Sequence, residues 1–396
     1  GGAAGAVGLR VPISEESLLA AARKKTGLSD FGGEAFREPL RRLLEAAERE
    51  ASLSAMGRII TRTRLLGQLV GRLRAEDLFK RHPEILKQRL APPVFIVGLQ
   101  RTGTTMLHRL LAADPAARFL ASWEATNPAP DPAARSDAED PRVAYARMGE
   151  RGLRYLAPDF FAIHPVEALA PEEEVMLLDY AFLSTVPEAT MRVPSFSAWL
   201  EAQDHTPAYE YLRRLLLLLQ WQETGDRWAL KTPHHMEHLE TLLRVFPEAR
   251  VLQTHRDPMT TLASFCSMIA HAWGIMSDRV DPLEVGRHWG AKIVRMLERS
   301  MEAREKADPA RFLDVSYYDL MEDPMRETRR IYDFLGAPLT PEAEGAMAAW
   351  REENAQHKHG RHVYRAEDFG LDEAALEARF APYRARFGVR REKRRS

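Results

Sequence analysis

The stretch PPVFIVGLQRTGTTMLHRLL, Pro92–Leu111, decides how the rest of the chain is interpreted. Its apolar start, its glycines at 98 and 103 and its leucine-rich end predict a β-strand, a tight turn and a helix. The backbone N–H groups at such a helix start attract anions. A nucleotide-binding loop of the form G-x-x-x-x-G-K-[ST] carries lysine where this chain has Thr104. The stretch therefore predicts an anion site that lacks the usual lysine.

Other residues of the loop supply anion-binding groups. Arg101 carries a guanidinium fork that can grip two oxygens of a tetrahedral anion and never loses its charge. Gly103 lets the backbone approach the anion, and the hydroxyl groups of Thr104 and Thr105 are further donors. In loops that bind ATP, the lysine acts with Mg²⁺ on a highly charged triphosphate. A sulfuryl group carries less charge than a γ-phosphate, so it fits a loop without that lysine.

Three further β-like runs alternate with helical segments: RWALKT (227–232), ARVLQTHR (249–256) and RFLDVSYYDL (311–320). Short apolar strands separated by helices predict a parallel sheet flanked by helices. The fold class we expect is α/β, a P-loop-like parallel β-sheet with helical insertions. Residues 1–90 are rich in Ala, Leu, Arg and Glu at helical spacing and are predicted to form a helical N-terminal segment, followed by an α/β domain over 91–396.

Composition excludes several classes of partner. The 396 residues contain 56 basic and 57 acidic side chains and are 45% hydrophobic, so the chain is globular and has no overall field that favours nucleic acid. We find no run approaching about 18 uncharged apolar residues and expect no stable membrane insertion and a cytoplasmic location. The single cysteine, Cys266, cannot form an internal disulfide and is expected in the core.

An acidic triplet, Glu172–Glu174, follows Pro171 and precedes an apolar helical run. Proline at the first position of a helix and acids in its first turn are a typical helix start. We therefore expect a helix beginning at Pro171, with the three glutamates explained by the helix dipole rather than by metal binding.

A second motif, RVLQTHRDPMTTLASF (Arg250–Phe265), is again a strand end followed by a helix. Arg256 lies at the end of the strand, and Ser264 follows eight residues later. The carboxyl ends of parallel strands line one crevice, so Arg256 is expected to face the same cleft as the glycine loop.

These two motifs, in this order, resemble the sulfotransferases that use 3′-phosphoadenylyl sulfate (PAPS). The chain is similar in particular to bacterial sulfotransferase family proteins, whose layout is that of tyrosylprotein and cytosolic sulfotransferases. In that family a loop of the form [KR]-[ST]-G-[ST]-[ST] holds the 5′-phosphosulfate, which implies this role for Arg101, Thr102, Gly103, Thr104 and Thr105.

The resemblance also implies that Arg256 and Ser264 hold the 3′-phosphate of the donor. It implies transfer of a sulfuryl group to an acceptor hydroxyl by in-line displacement, with adenosine 3′,5′-bisphosphate as product and no metal required. The residue that stacks on adenine stays open between Tyr317 and the C-terminal segment.

Catalytic residues follow from the same resemblance. Lys231, at the end of RWALKT, would stabilise charge on the bridging oxygen together with Arg101. Two residues are candidates for the base that takes the acceptor proton: Glu124, in RFLASWEATNP, and His234. We favour Glu124, with His234 as an assistant, and the choice between His234 and His235 at the family's histidine position stays open.

Late in the chain, ENAQHKHGRHVYRAEDFGL is rich in basic residues and histidine. By resemblance, Lys358, Gly360 and Arg361 would close over the 3′-phosphate. The histidines at 357, 359 and 362 lack a matching cysteine or acidic set at ligand spacing, so we predict no metal there.

The acceptor is expected to be a small or lipid-like molecule, because apolar insertions such as YAFLSTVPEATMRVPSFSAWL (Tyr180–Leu200) indicate an apolar pocket. Two alternatives stay open: a small-molecule kinase that uses Mg²⁺ and ATP, and a non-catalytic nucleotide-binding protein of the same fold. The sequence does not indicate the oligomeric state.

Overall fold

The apolar run of the opening motif forms the middle strand of a parallel sheet. The strands are β1 (Pro93–Val97), β2 (Ala117–Phe119), β3 (Arg227–Lys231), β4 (Arg250–His255) and β5 (Phe312–Ser316), in the order β2-β3-β1-β4-β5. The computed structural model describes residues 11–131, 140–158, 161, 166–354 and 365–392. The predicted P-loop-like parallel sheet flanked by helices is confirmed.

Helices cover both faces of this sheet and precede it. They are α1 (Glu15–Thr26), α2 (Arg37–Arg49), α3 (Ala55–Arg81), α4 (Thr104–Ala112), α5 (Ser122–Thr126), α6 (Pro141–Leu156), α7 (Val175–Leu178), α8 (Val186–Thr190), α9 (Pro194–Glu201), α10 (Thr206–Gln222), α11 (Leu239–Val245), α12 (Pro258–Met276), α13 (Pro282–Lys306), α14 (Tyr317–Glu322), α15 (Pro324–Leu335), α16 (Pro341–Glu353) and α17 (Glu373–Phe387). Short 3₁₀ turns occur at Pro83–Lys87, Asp179–Ala181, Pro233–Glu237, Pro309–Arg311 and Glu367–Phe369.

The register of the sheet explains why the predicted site residues meet. Ile96 of β1 lies beside Lys231 of β3 and Leu252 of β4, so the ends of three parallel strands open onto the same edge. All five side chains of β1 are buried, as expected for a strand with neighbours on both sides and helices on both faces. β2 is missing from the sequence prediction because it has three residues, one of them Arg118.

The N-terminal helices share the core of the sheet domain. Leu65 and Leu69 of α3 belong to the same continuous buried cluster as Phe95 and Val97 of β1. The boundary at residue 90 stays a prediction.

Helix α12 is the one place where the described chain approaches the composition of a membrane span. Its 19 residues, Pro258–Met276, carry no Asp, Glu, Lys or Arg, and they contradict the expectation that no such run exists. Most of this helix is buried in the protein, where Leu262, Phe265 and Ile269 join the main core. Cys266 lies on the same helix and is buried, as predicted.

The expected helix start at Pro171 is wrong. Pro171 forms an isolated antiparallel bridge with Ala121, and the helix begins four residues later, at Val175. The side chains of Glu173 and Glu174 reach back to strand β3 instead of capping a first turn. The explanation by the helix dipole is therefore wrong for these two residues.

The apolar segment Tyr180–Leu200 also differs from its expected use. Phe182, Met191, Val193, Phe196 and Leu200 are all buried in the main core. They stabilise the fold and do not line an open pocket.

Candidate active site

The glycine loop joins β1 to α4 with three residues in the left-handed region of backbone space. Gly98 has φ of 148°, Arg101 of 68° and Gly103 of 86°. Glycine adopts these angles without penalty, whereas an arginine does so only when its surroundings hold it there. Gly103 is also the N-cap of α4, so the loop leads directly into the helix start, where backbone N–H groups favour an anion.

Two threonines fix the loop to strand β4. The hydroxyl groups of Thr102 and Thr254 lie 2.6 Å apart, and the Thr102 hydroxyl also donates to the carbonyl of Leu99 at 2.6 Å. A Cβ atom at position 98 would clash with the Thr254 side chain, which explains why glycine stands there. Thr102 and Thr104 are buried, whereas Thr105, in the first turn of α4, is exposed.

The structure brings the second motif to the first. Nη1 of Arg256 donates to the backbone carbonyl of Arg101 at 2.9 Å, and Nε of Arg101 donates to the hydroxyl of Ser264 at 3.3 Å. Arg101 therefore lies between the two residues of the second motif: its backbone contacts Arg256 and its side chain contacts Ser264.

Arg256 already has an anionic neighbour. Its Nε and Nη2 donate to the two carboxylate oxygens of Glu392, at 2.7 and 3.1 Å. The guanidinium carbon lies 4.0 Å from the centre of the Tyr317 ring. That ring in turn packs against Gly103, where an added Cβ would lie 3.2 Å from Tyr317 Cδ2. Tyr317 thus lies beside both motifs, but its stacking role stays a prediction.

Lys231 lies at the end of β3, next to the glycine loop in the sheet. Its ammonium group forms an ion pair with Glu173, and the other carboxylate oxygen of Glu173 accepts a hydrogen bond from the Thr232 hydroxyl at 3.0 Å. Glu174 accepts the backbone N–H of Lys231 at 2.8 Å. Two acids of the 172–174 triplet therefore belong to this edge of the sheet.

The imidazole of His108, in α4, is close enough to Lys231 for the two side chains to interact electrostatically. Burial, and secondarily the positive charge of Lys231, lower the pKa of His108 to about 3. Its Nε2 atom lies 3.2 Å from the carbonyl of Ala229, which accepts a hydrogen bond from it. His108 is therefore neutral, and its imidazole adds no positive charge that would repel the Lys231 ammonium.

Glu124 lies on a different contact network from Lys231. One carboxylate oxygen pairs with Arg118 of β2, and the other accepts the N–H of Ala121 at 3.0 Å, capping α5. Its side chain is only 2% exposed, against 21% for Glu173. Its near-complete burial and its ion pair with Arg118 rather than Lys231 give its role as the base little support, and that role stays a prediction.

The two neighbouring histidines have different surroundings. His235 lies between Glu174, 2.8 Å from Nε2, and the Tyr209 hydroxyl, 2.7 Å from Nδ1. His234 contacts Thr185 through Nδ1 at 3.3 Å, and burial, with smaller effects from His205 and His235, lowers the pKa of His234 well below its ordinary value. His235 is therefore held on both sides by hydrogen bonds, which leaves His234 as the histidine with capacity for another contact.

Lys358, Gly360 and Arg361 lie outside the described residues. Sequence reasoning missed Glu173 and Glu392, which contact Lys231 and Arg256. Glu173 is 58 positions from its partner and Glu392 136 positions from its own. The acidic triplet Glu172–Glu174 was the one sequence feature that drew attention to Glu173, and its local pattern indicated a helix start instead of a site.

Comparison with known proteins agrees with this geometry. A profile of the sulfotransferase family matches residues 92–341, which contain both motifs and Lys231. The sulfotransferase STF1 from Mycobacterium tuberculosis H37Rv is 36% identical, with a TM-score of 0.82 over 93% of this chain and 98% of that structure. The sulfotransferase STF9 from Mycobacterium avium is 29% identical, with a TM-score of 0.87 over 97% of this chain and 99% of that structure.

Curated relatives include the omega-hydroxy-beta-dihydromenaquinone-9 sulfotransferase Stf3 of Mycobacterium bovis and of Mycobacterium tuberculosis. Each is 29% identical over 256 residues, which are 62% of this chain and 63% of the relative. The match thus spans less than two thirds of these relatives. Together with the family profile, which covers well over half of the sequence, these similarities show that the chain belongs to the sulfotransferase family.

Proposed function

We propose that this sulfotransferase moves a sulfuryl group from PAPS to a hydroxyl of a small or lipid-like acceptor by in-line displacement. One observation carries the choice of donor: Arg256 hydrogen-bonds the backbone of Arg101 at 2.9 Å. The guanidinium of Arg256, just after β4, therefore contacts the backbone of the loop that follows β1, and this edge of the sheet carries two permanently charged arginines. A ligand with two separate anionic groups on one nucleoside matches this pair better than a single triphosphate does.

In this proposal the glycine loop and the start of α4 bind the 5′-phosphosulfate through backbone N–H groups. Arg101, Thr104 and Thr105 add side-chain donors. Arg256 and Ser264 bind the 3′-phosphate.

The transfer itself forms one bond and breaks one. The acceptor oxygen attacks sulfur as the bond from sulfur to the bridging phosphate oxygen breaks, and adenosine 3′,5′-bisphosphate leaves. Lys231 stabilises the charge that develops on that bridging oxygen; in support of this role, its backbone pairs with Ile96 at the end of β1, just before the glycine loop.

For the base we propose Glu173. It is the carboxylate that contacts Lys231, and it is more exposed than Glu124. When the Lys231 ammonium turns from Glu173 to the bridging oxygen, the carboxylate becomes a stronger acceptor for the proton of the acceptor hydroxyl. Glu124 and His234 remain the alternatives, and substitution separates the three.

A lipid-like acceptor is supported by an exposed apolar stripe on α6. Tyr145, Met148 and Tyr155 recur at helical spacing, and their exposed fractions are 45%, 58% and 86%. Helix α6 packs beside α5, where Arg142 lies 4.5 Å from the centre of the Trp123 ring. The relatives named for a hydroxylated menaquinone derivative make an isoprenoid or quinone alcohol the first acceptor class to test.

The donor can be tested first by thermal shift of the purified chain. Adenosine 3′,5′-bisphosphate should raise Tm without added metal, whereas ATP with Mg²⁺ should give a smaller shift. Stabilisation by ATP and Mg²⁺ alone would overturn the choice of donor. Incubation with sulfur-labelled PAPS and a panel of lipid-like alcohols should then give a labelled, sulfated product, and a panel of polar sugars should give none.

A further inference from the structure

A cluster of three histidines lies just past the end of β3. His234 belongs to the turn Pro233–Glu237, His238 is the N-cap of α11 and His205 is the N-cap of α10. The ring centres of His205 and His238 are 3.8 Å apart, and those of His234 and His238 are 4.7 Å apart. One ring nitrogen from each residue lies within 4.8 Å of those from the other two. The rings thus converge from three separate elements.

Two of these rings have a buried nitrogen without a hydrogen-bond partner among the described residues. Nε2 of His205 lies 3.1 Å from the carbonyl of Leu200, which leaves Nδ1. Nδ1 of His234 contacts Thr185, which leaves Nε2. A buried nitrogen with no partner destabilises the fold, and two in one cluster call for an explanation.

We propose that His205, His234 and His238 bind a divalent transition metal ion, with Zn²⁺ as the best fit. Three imidazoles and one open position are a familiar zinc coordination set, with nitrogens at about 2.0–2.1 Å from the metal. Imidazole favours Zn²⁺, Cu²⁺ and Ni²⁺ over Mg²⁺ and Ca²⁺, which prefer oxygen. A metal here satisfies both orphaned nitrogens at once.

The other ring nitrogens of His205 and His234 have hydrogen-bond partners that suit metal-bound histidines. Metal-bound histidines commonly donate their other ring N–H to an oxygen, which fixes the orientation of the ring. The carbonyl of Leu200 and the hydroxyl of Thr185 provide such oxygens for His205 and His234. His238 is the least buried of the three, so it offers the side from which an ion enters.

The charge of the nearby Lys292 opposes a cation at the cluster, but its own ion pairs partly offset it. Lys292 is the buried cation whose charge acts on His234 and His238. It is surrounded by three carboxylates, those of Glu188, Glu201 and Glu237, at 2.9–3.2 Å. These acids offset the positive charge of Lys292 toward the histidine cluster.

This site is separate from the histidine-rich segment that the sequence analysis considered for metal. It is also independent of the proposed function, because the ligands do not include Arg101, Lys231 or Arg256. If His234 binds a metal, its remaining nitrogen is occupied and it cannot act as the base.

The test uses the full chain without an affinity tag, with His357, His359 and His362 replaced by Asn so that these histidines cannot bind zinc. Metal is removed with a chelator, and Zn²⁺ alone is then titrated by calorimetry. We expect one equivalent per chain, and His205→Asn and His238→Asn should each weaken binding more than about 10-fold. The matched control is His82→Asn, which changes a partly exposed histidine whose ring lies 4.9 Å from that of Trp221, and it should leave zinc binding unchanged.

Co²⁺ provides a readout that does not depend on the variants. Cobalt bound by three imidazoles in a four-coordinate site gives strong visible absorption, whereas hydrated or surface-bound cobalt gives a weak band. Strong absorption that Zn²⁺ displaces supports the proposal. Absence of saturable zinc binding at micromolar concentration, weak cobalt absorption, or equal binding by the His205 and His238 variants and the control would each overturn it.

Discussion

Arg256 and Glu392 form a two-pronged ion pair, at 2.7 and 3.1 Å, between the end of β4 and the last residues of the described chain. The same guanidinium is proposed to bind the 3′-phosphate of the donor. The backbone N–H of Glu392 donates to Asp257 at 2.7 Å, so the carboxylate is held in place beside Arg256. If Arg256 binds the 3′-phosphate as proposed, the carboxylate of Glu392 competes with the nucleotide for it.

Replacing this carboxylate should strengthen nucleotide binding. We expect Glu392→Gln to lower the Kd of adenosine 3′,5′-bisphosphate about two- to five-fold, since a partly exposed ion pair contributes up to about 1 kcal/mol. Calorimetry measures the change. The matched control is Glu377→Gln, which removes a carboxylate that pairs with Arg384 and not with Arg256. An unchanged or higher Kd for Glu392→Gln would show that the pair does not compete with the ligand.

Arg256 should contribute to binding of the 3′-phosphate and not of the rest of the nucleotide. We expect Arg256→Ala to weaken adenosine 3′,5′-bisphosphate about 10- to 100-fold, because charge-assisted hydrogen bonds to a phosphate contribute about 1.5–3 kcal/mol. Binding of adenosine 5′-monophosphate, which lacks the 3′-phosphate, should change less than about threefold. Arg299→Ala, at an exposed arginine paired with Glu302, is the control. Equal losses for both nucleotides would place Arg256 elsewhere on the ligand.

Glu173 should determine the rate of transfer rather than donor binding. We expect Glu173→Gln to lower kcat about 10²- to 10⁴-fold, the range typical of a general base, with little change in the Kd of the bisphosphate. Glu172→Gln is the control, because among the described residues the Glu172 carboxylate accepts the backbone N–H of Glu173, at 2.9 Å, and has no contact with Lys231. Single-turnover assays with labelled PAPS make the comparison. Near-normal turnover by Glu173→Gln would reassign the base to Glu124 or His234.

Glu124 should instead contribute to the free energy of unfolding rather than to the rate of transfer. Glu124→Gln leaves the buried Arg118 with only the more distant and exposed carboxylate of Glu223, at 3.8 Å, and breaking a buried ion pair costs about 3–5 kcal/mol. Chemical denaturation should show a loss of this size in the free energy of unfolding. A variant that is fully stable but inactive would support the original prediction of Glu124 as the base.

His108 should make the protein sensitive to acid. Its pKa is about 3 in the folded chain and 6.5 in the absence of its surroundings, so the unfolded chain binds more protons between these values. The stability contribution is complete above about pH 6.5 and is lost as pH falls, by at most about 1.4 kcal/mol per pH unit. Denaturation at several pH values should show this slope, and His108→Gln should reduce it. An identical slope in the variant would assign the acid sensitivity to other groups.

Local sequence patterns predicted the parts of the site that are built by local structure. The run before Gly98 and the threonines after Arg101 define a strand, a turn and a helix within 20 residues, and the structure has each of them. Arg256 was placed correctly because the ends of parallel strands meet at one edge, a rule that needs only the order of the elements.

The contacts that sequence reasoning missed depend on packing between distant segments. Glu173 reaches Lys231 because the chain after Pro171 bridges to Ala121 instead of starting a helix. His234 and His238 have the spacing of neighbours, but His205 joins them only through the packing of α10. Contacts of this kind depend on tertiary packing, which local sequence propensity does not encode.

The hydroxyl contact between Thr102 and Thr254 has a consequence for how a nucleotide engages both halves of the site. Because this contact joins the loop to strand β4, the proposed site for the 5′-phosphosulfate stays at a fixed separation from the proposed site for the 3′-phosphate. A ligand anchored at one end then meets the second set of donors at a high effective concentration, with little further ordering of the protein. The contact between the two threonines thus preorganises the proposed site for a ligand that binds at both ends.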